Sequence, residues 1–250
     1  MPVATWMLDA IAPQPGQTIL DLAAGIGDTG FLAAELIQPG GQLITSDFVP
    51  EMLAAAQRRA ERLRITNVRF RQMDANVPLD QPAATLDAVI CRWGYHLLKD
   101  GEAALRDTRR VLKQHGTVAL SAWTGPEDNQ WSAIPVGILR DRGLLEPDAP
   151  NTPGQFSWSA NGVVAENVER AGFVDYRVET VNFSFRFSDA EDWWGHQVQV
   201  STRTADAAAQ MDTRTRKAVL EDLAEAAAGF RQDDGEIVIP ARTWVAEATV

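Results

Sequence analysis

Ile19-Leu20-Asp21-Leu22-Ala23-Ala24-Gly25-Ile26-Gly27-Asp28-Thr29-Gly30 is the stretch that decides the fold of this chain. It begins as a short apolar segment with strand character, and an apolar pattern with helical spacing follows directly after the last glycine. Gly25 and Gly27 have no side chain to keep the loop backbone away from a ligand, and Gly30 lets the helix pack close to the strand. The stretch therefore predicts a strand, a ligand-binding turn and a helix whose first N–H groups attract a carboxylate or phosphate.

Aspartates accompany the first three predicted strands. Asp21 lies within the first strand, Asp47 follows the strand Gln42 to Ser46, and Asp74 follows the strand Val68 to Gln72. Because Asp47 comes about 20 residues after the first glycine, it completes a dinucleotide fingerprint in which the acid binds the ribose hydroxyls. A carboxylate at Asp21 would repel a pyrophosphate but would suit a cationic, amino-acid-like ligand. A ligand with a cationic end, a ribose and an adenine would use all three acids.

Five segments, in order, resemble the motifs of class I S-adenosylmethionine (SAM)-dependent methyltransferases, particularly the UbiE-like small-molecule group. The segments are LDLAAGIGDTG, ITSDFVPEML, QMDAN, LDAVICRWGYHLLKD and RRVLKQHGTVAL. The match runs from about Gly16 to Trp123 and thins to fold-level similarity beyond. The resemblance implies that SAM is the methyl donor and that S-adenosylhomocysteine (SAH) is the product.

The resemblance also assigns residues to the cofactor. Asp21 and the glycine loop would hold the methionine end, Asp47 the ribose and Asp74 the adenine edge. The cofactor residues assigned in this way are Asp21, Ala23, Gly25, Gly27, Asp47, Phe48, Met52, Asp74, Ala75 and Arg92. The residues themselves leave structural alternatives open, since Asp21 can hold the glycine turn through loop amides, Asp47 can cap the next helix and Asp74 can cap a turn.

Composition and charge limit the function classes. The chain has 250 residues, of which 45% are hydrophobic and 23% charged, as in a soluble globular protein. A net charge of −11 argues against a nucleic-acid partner, because a phosphate backbone needs a basic face. The single cysteine, Cys91, excludes an internal disulfide, and three widely spaced histidines argue against a metal site. No apolar stretch suits a membrane span or a leader, so we expect a cytoplasmic protein.

Strands and helices alternate from Gly16 to Leu120, which predicts an α/β fold with a parallel sheet covered on both faces. We expect a Rossmann-like, seven-stranded, mostly parallel sheet with an antiparallel edge strand, formed by Trp244 to Val250, and a helical cap from C-terminal insertions. The expected boundaries are a core at 1–122, a cap insertion at 123–160, a core return at 161–187, a helical cap insertion at 188–234 and a closing strand at 235–250. The first helix, Thr5 to Ile11, is shorter than the lid usual in the resembled group, so closure would depend more on the C-terminal elements.

Methyl transfer is an in-line displacement that mainly requires orientation, which can supply about 7–11 kcal/mol in intramolecular models. A base is needed only when the attacking atom starts out protonated. His96, just beyond the fourth strand, is the first candidate for a base or an orienting group, and His196 is the second. The structural alternative for His96 is packing beneath the following helix. Trp93 and Tyr95 would stack on a planar acceptor or pack as an ordinary wall.

Tryptophans are concentrated in or beside the expected cap, while the predicted core strands carry none. Part of this cluster would form the cap core, but its position favours an apolar or aromatic acceptor. The residues assigned to the acceptor are Trp93, Tyr95, Trp123, Trp193 and Trp194.

The sequence therefore predicts SAM-dependent methyl transfer to an oxygen or carbon atom of a small, apolar or aromatic molecule. An NAD(P)-dependent oxidoreductase is the enzyme alternative, since the glycine loop and Asp47 fit it but Asp21 and Asp74 do not help. A non-catalytic SAM-binding protein, or a related fold that uses the charge of SAM in another reaction, also stays open. Tyr95 and Lys99 match the Y-x-x-x-K pair of short-chain dehydrogenases, but they follow a strand instead of lying on a long helix. A homodimer stays open as an alternative to a monomer.

Overall fold

A computed structural model describes residues 2–147, 149 and 152–250 of the chain. The strands are β1 (Thr18–Leu22), β2 (Gln42–Asp47), β3 (Val68–Gln72), β4 (Leu86–Arg92), β5 (Leu112–Trp123), β6 (Asp175–Phe187) and β7 (Ile237–Thr249). The helices are α1 (Pro2–Ile11), α2 (Gly30–Leu36), α3 (Pro50–Leu63), α4 (Gly101–Val111), α5 (Gln130–Asp141), α6 (Val163–Arg170), α7 (Ala190–Val200), α8 (Thr202–Ala209) and α9 (Thr213–Ala227). In the part of the chain that the structure describes, no helix has the length and apolar character needed to cross a membrane.

The described residues divide into two compact units. The first unit comprises the chain up to Trp123 together with Pro153–Val181 and Thr243–Val250, and the second comprises Thr124–Thr152 and Asn182–Arg242. Both later boundaries fall inside strands, within β6 and within β7, whereas the sequence suggested boundaries at the ends of such elements. Each of the two compact units therefore contains part of β6 and part of β7, and the expected division into a core and cap insertions stays a prediction.

The strands form a seven-stranded sheet in the order β3-β2-β1-β4-β5-β7-β6. The first five strands pair in parallel, and β7 runs antiparallel to β5 with Thr117 opposite Thr249 and Trp123 opposite Thr243. The expected α/β, mostly parallel sheet is confirmed. The closing strand is not at the edge, however, because β6 takes that place. Ala241 and Val245 in β7 are buried, whereas β6 alternates with exposed residues, as suits an edge strand.

The central strands of the first unit are buried on both faces. Ile19, Leu20, Val89 and Ile90 are fully enclosed, which is expected of parallel strands covered by helices on both sides. Cys91 lies in the same core, and burial raises the pKa of its thiol, which makes it unreactive. The carboxyl ends of these strands are therefore presented by a rigid, close-packed sheet.

A proline fixes two helices of the second unit to each other. Pro135 lies inside α5 and has no N–H, so the carbonyl of Trp131, one turn earlier, lacks its helical donor. Trp193 Nε1 and Gln197 Nε2, both on α7, donate to this carbonyl at 2.6 and 2.7 Å. The side chain of Trp193 is completely buried. The break in the pattern of α5 thus supplies the acceptor that anchors α7.

The segment Ser188-Asp189-Ala190-Glu191 contains two residues able to cap α7, and the structure uses the second of them. Asp189 is the N-cap and accepts the N–H of Asp192 at 2.8 Å, while Asp192 Oδ2 accepts the N–H of Ser188 at 2.9 Å. Aspartate caps a helix as well as serine does, so the sequence allowed both registers.

Candidate cofactor site

The glycine-rich loop after β1 contains several residues in the left-handed region. Ala23, Gly25 and Gly27 have φ values of 54°, 55° and 82°. An alanine in this region costs about 1–2 kcal/mol, so the loop accepts some strain to reach its shape. A side chain added at Gly25 would meet no atom within 4 Å, which shows that the space beside the loop is open. The geometry agrees with a loop whose backbone receives a ligand.

Asp21 ties the start of α2 to β1. The N–H of Gly30 donates to Asp21 Oδ2 at 2.9 Å, and a Cβ on Gly30 would lie 2.4 Å from the same oxygen. Only glycine therefore allows the helix to come this close to the carboxylate. This contact supports the structural alternative for Asp21, while its contact with the methionine end of a cofactor stays a prediction.

The environment of Asp21 makes its ionisation costly. Burial raises the pKa of Asp21 to about 7, although the Gly30 N–H and the Arg92 guanidinium lower it. The neighbouring carboxylates of Asp28 and Asp47 raise it further. Asp21 therefore changes charge near neutral pH, directly beneath the glycine loop.

Asp47 joins the end of β2 to the glycine loop and to the start of α3. Its Oδ2 accepts the N–H of Gly25 at 2.8 Å, and its Oδ1 accepts the N–H of Val49 at 2.9 Å. Val49 is the N-cap of α3, so Asp47 fixes the turn before the helix instead of capping it. Each carboxylate oxygen has a second lone pair, so both can still accept a ribose hydroxyl.

Large apolar side chains are exposed around this turn. Phe48 is 62% exposed, and Ile26, Val49 and Met52 are also exposed. Exposed apolar residues that are close in the sequence to a glycine loop indicate a binding surface. Phe48 and Met52 are the two that the sequence assigned to the cofactor.

Asp28 links the loop to two other elements, a feature that sequence reasoning missed. It pairs with Arg59 of α3 and, at 3.2 Å, with Arg92 at the end of β4. Burial lowers the pKa of Arg92, and the nearby Asp28 carboxylate opposes this effect. The structure thus brings Arg92 to the glycine loop, and its assignment to the cofactor stays a prediction. Asp28 was visible as an acid directly after Gly27, but no spacing signal indicated Arg59.

Trp93 and Trp123 come together at the carboxyl ends of β4 and β5. Their rings stack at 4.3 Å with an angle of 12°, and Arg92 lies over the Trp93 ring at 4.6 Å. Trp93 Nε1 donates to Thr243 Oγ1 at 3.0 Å. Trp93 has a φ of 60°, an outlier for a bulky residue and a kind of strain that concentrates at functional sites.

Tyr95 is a core residue, which corrects its assignment to the acceptor. Its side chain is fully buried, and its hydroxyl lies 2.7 Å from Thr108 Oγ1 of α4. The 3-10 turn that begins at Tyr95 directs the ring under α4, where a buried phenol needs a hydrogen-bond partner. The sequence could not distinguish this direction from one facing an acceptor.

His96 is also enclosed, with 2% of its surface exposed. Burial lowers its pKa to about 4, so the imidazole is neutral at physiological pH. Its Nδ1 has no hydrogen-bond partner among the described residues. The backbone carbonyl of His96 accepts the hydroxyl of Ser157 at 2.6 Å, which holds the turn against the segment before α6.

We expect a His96→Gln variant to be less sensitive to acid than the wild type. The imidazole has a pKa of 6.5 when unfolded and about 4 when folded, so the unfolded chain binds the extra proton between these values. The contribution of the neutral ring to the free energy of unfolding is therefore complete above pH 6.5, and it is lost as the pH falls towards 4. Urea unfolding at pH 8 and pH 5 measures the free energy of unfolding at each pH. In the wild type, His96 should account for about 2 kcal/mol of the stability lost between pH 8 and pH 5, and the variant should not show this part of the loss. Identical pH slopes in the two proteins would contradict a neutral, buried His96.

Trp193, Trp194 and His196 belong to the second unit. Both tryptophans are buried, and the His196 ring lies 5.1 Å from Phe185 and 5.7 Å from Trp131. Burial lowers the pKa of His196. The contacts of the Trp193 and His196 rings lie within their own unit, and the assignment of all three residues to acceptor binding or catalysis stays a prediction.

No group of three or more histidine, cysteine, aspartate or glutamate side chains is placed to hold a metal ion, as far as the described residues go.

Comparison with known proteins finds similarity to methyltransferases. Residues 19–116 match a protein family described as Methyltransferase domain. The chain is 30% identical over 199 residues to the nocamycin O-methyltransferase of Saccharothrix syringae, with 76% of this chain and 71% of that protein covered. It is 36% identical over 127 residues to the demethylmenaquinone methyltransferase of Thermus thermophilus, with 51% of this chain and 56% of that protein covered. The chain thus spans about half the length of this second relative.

A solved structure has a similar fold over the whole length. The YcgJ protein of Bacillus subtilis superposes with a TM-score of 0.66 over 99% of this chain and 97% of that chain, at 20% sequence identity. At this identity the similarity concerns the fold alone.

Proposed function

The chain belongs to the class I SAM-dependent methyltransferases, and from that membership we propose that it methylates an oxygen or carbon atom of a small, apolar or aromatic molecule. The resemblance stated from the sequence is thereby confirmed, and SAM is the methyl donor. The observation that carries the proposal is the glycine loop, which Asp47 holds at Gly25 and which is open on that side. The nocamycin relative, which matches 76% of this chain, is named an O-methyltransferase, and this name supports oxygen as the acceptor atom.

The residues around the loop fit SAM. Asp47 places a carboxylate beside the loop, and Asp21 adds a second negative charge when it ionises above about pH 7, which suits the ammonium and sulfonium groups. Thr29 Oγ1, at the start of α2, is buried and has no hydrogen-bond partner among the described residues, so it can serve a ligand. Apolar side chains at Phe48 and Met52 suit an adenine face.

When bound, SAM supplies an electrophilic methyl group on a sulfonium. In the proposed mechanism, Asp47 fixes the ribose, Asp74 fixes the adenine edge, and the apolar residues exclude water. Holding the reacting atoms in line is the main contribution, worth about 7–11 kcal/mol in model systems. The stacked rings of Trp93 and Trp123 place apolar side chains at the carboxyl ends of the strands, which favours an apolar acceptor.

His96 is proposed to orient the acceptor instead of acting as a strong base. A pKa of about 4 keeps the imidazole neutral, so Nδ1 can accept a hydrogen bond, but it also makes the ring a weak base at neutral pH. Because the ring is enclosed, contact with an acceptor requires the turn that starts at Tyr95 to open. An acceptor hydroxyl that is itself acidic would need no stronger base.

Thermal unfolding with SAM, SAH, NAD and NADP tests the proposal. A ligand that binds only the folded state raises its stability by about 2.7 kcal/mol at a hundredfold excess over the dissociation constant. We expect SAM and SAH to raise the midpoint and the two nicotinamide cofactors to leave it unchanged. The opposite pattern would reject the proposed function in favour of an oxidoreductase. Mass spectrometry of candidate aromatic acceptors incubated with SAM then separates a transferase from a protein that only binds the cofactor.

A further inference from the structure

Asn76 lies between Asp74 and the loop that follows β4. Its backbone N–H and its Nδ2 donate to Asp74 Oδ1 at 2.9 and 2.8 Å, and its Oδ1 accepts the N–H of Lys99 at 2.8 Å. Exchanging the oxygen and nitrogen of the amide would set a donor against the Lys99 N–H and an acceptor against the carboxylate. The side chain of Asn76 is therefore held in a single orientation.

Asn76 in turn fixes the carboxylate of Asp74. Within the described part of the chain, the hydrogen bonds of this carboxylate all fall on Oδ1. They lower the pKa of Asp74, with the backbone N–H of Asn76 as the first cause, so the group is ionised and only accepts hydrogen bonds. Its Oδ2 is left as an acceptor in a defined position.

We propose that Asn76 is a positioning residue that makes this site select adenine over other purines, by holding Asp74 Oδ2 in place for the exocyclic amino group. The inference rests on the proposed function, in which Asp74 binds the adenine edge. An amino group donates a hydrogen bond to Oδ2. The 6-oxo group of hypoxanthine is a hydrogen-bond acceptor. It would face the carboxylate oxygen, which is also an acceptor, so no hydrogen bond could form between them.

The link to Lys99 explains why Asn76 and not a shorter residue performs this task. The loop after β3 carries Asp74, and the loop after β4 carries Lys99. The side-chain amide of Asn76 hydrogen-bonds to both Asp74 and Lys99. The position of the loop after β4 therefore helps to fix the Asp74 carboxylate. Without this amide only the backbone N–H of residue 76 holds the Asp74 carboxylate, so its side chain regains part of its rotational freedom, which binding of adenine must then remove.

Isothermal titration with SAH and with S-inosyl-L-homocysteine, which differs only in the purine, tests the proposal. We expect the wild type to bind SAH about 10- to 100-fold more tightly than the inosyl compound, the range for one hydrogen bond to a charged group. In Asn76→Ala, the affinity for SAH should fall about 2- to 10-fold, because one side chain is no longer immobilised. The affinity for the inosyl compound should stay constant, so the selectivity ratio falls. Asn76→Asp keeps an acceptor for Lys99 but removes the Nδ2 donor, and it should lower the ratio at least as much.

Asn67→Ala is the matched control. The side-chain amide of Asn67 also donates two hydrogen bonds, to the carbonyls of Ala34 in α2 and of Gly41, but Asn67 lies before β3 at the opposite end of the strand from Asp74. It should lower the thermal midpoint and leave the selectivity ratio at the wild-type value. Equal losses for both ligands in Asn76→Ala would overturn the positioning role. A wild type that binds both ligands equally would do the same, and a wild type that binds neither would reject the cofactor assignment itself.

Discussion

Replacing Asp47 by alanine is expected to weaken SAH binding by about 100-fold or more and to abolish the thermal shift at moderate ligand concentrations. Two effects combine in this variant. The ribose loses a charged acceptor, which is worth about 1.5–3 kcal/mol for each hydrogen bond. The N–H groups of Gly25 and Val49 also lose their acceptor, so the glycine loop and the turn before α3 are no longer fixed. Calorimetric titration of the wild type and the variant with SAH measures the loss.

Asp87→Ala is the control for Asp47→Ala. Asp87 also accepts a backbone N–H, that of Thr18 at 2.8 Å, and it pairs with Lys113. It lies at the start of β4, away from the carboxyl ends of the strands. The control should lose stability and retain SAH affinity. If both variants bind SAH like the wild type, Asp47 does not contact the ribose.

Replacing Asp21 by asparagine is expected to stabilise the protein at alkaline pH. The pKa of Asp21 is about 7 in the folded protein and 3.8 in the unfolded chain, so the folded state binds the extra proton between these values. The stability that this group contributes is therefore complete below pH 3.8 and is lost as the pH rises through 7. A shift of this size corresponds to at most about 4 kcal/mol. The amide oxygen of asparagine still accepts the Gly30 N–H and carries no charge to bury.

Urea unfolding of wild type and Asp21→Asn across the pH range measures this effect. The variant should be more stable by up to about 4 kcal/mol at pH 8, and the difference should disappear near pH 4. His96 acts in the opposite direction between pH 4 and 6.5, so the wild-type curve combines both groups. Loss of the negative charge should also lower the affinity for SAM more than the affinity for SAH, because only SAM carries the sulfonium charge. If Asp21→Asn is less stable than the wild type at pH 8, burying the ionised Asp21 carboxylate does not destabilise the folded protein.

Local patterns in the sequence were sufficient for the architecture. The glycine loop, the acids after β2 and β3, and the alternation of strands and helices are each contained in a few neighbouring residues. Such patterns depend on backbone conformation and on the repeat of apolar positions, which neighbouring residues largely determine. The α/β class and the parallel core were therefore predictable, and the resemblance of the ordered motifs to a known family implied the cofactor.

Side-chain directions and long-range partners were decided by the tertiary structure. Tyr95 and His96 follow β4 as the sequence indicated, but the turn places the tyrosine ring in the core and encloses the imidazole. The pairing of Asp28 with Arg59 joins residues that no local repeat connects. The bond of Asn76 to Lys99 depends on how two loops meet at the end of the sheet.

The sequence by itself determined the order of the elements and the shape of the glycine loop, because these follow from conformational preferences within short segments, and the resemblance of its motifs to a known family implied the cofactor. Only the tertiary structure decided that β7 lies inside the sheet, that Asp21 is buried with a pKa of about 7, and that the N–H of Lys99 donates to Asn76. Burial and hydrogen-bond geometry depend on segments that are distant in the sequence and come together only when the chain packs.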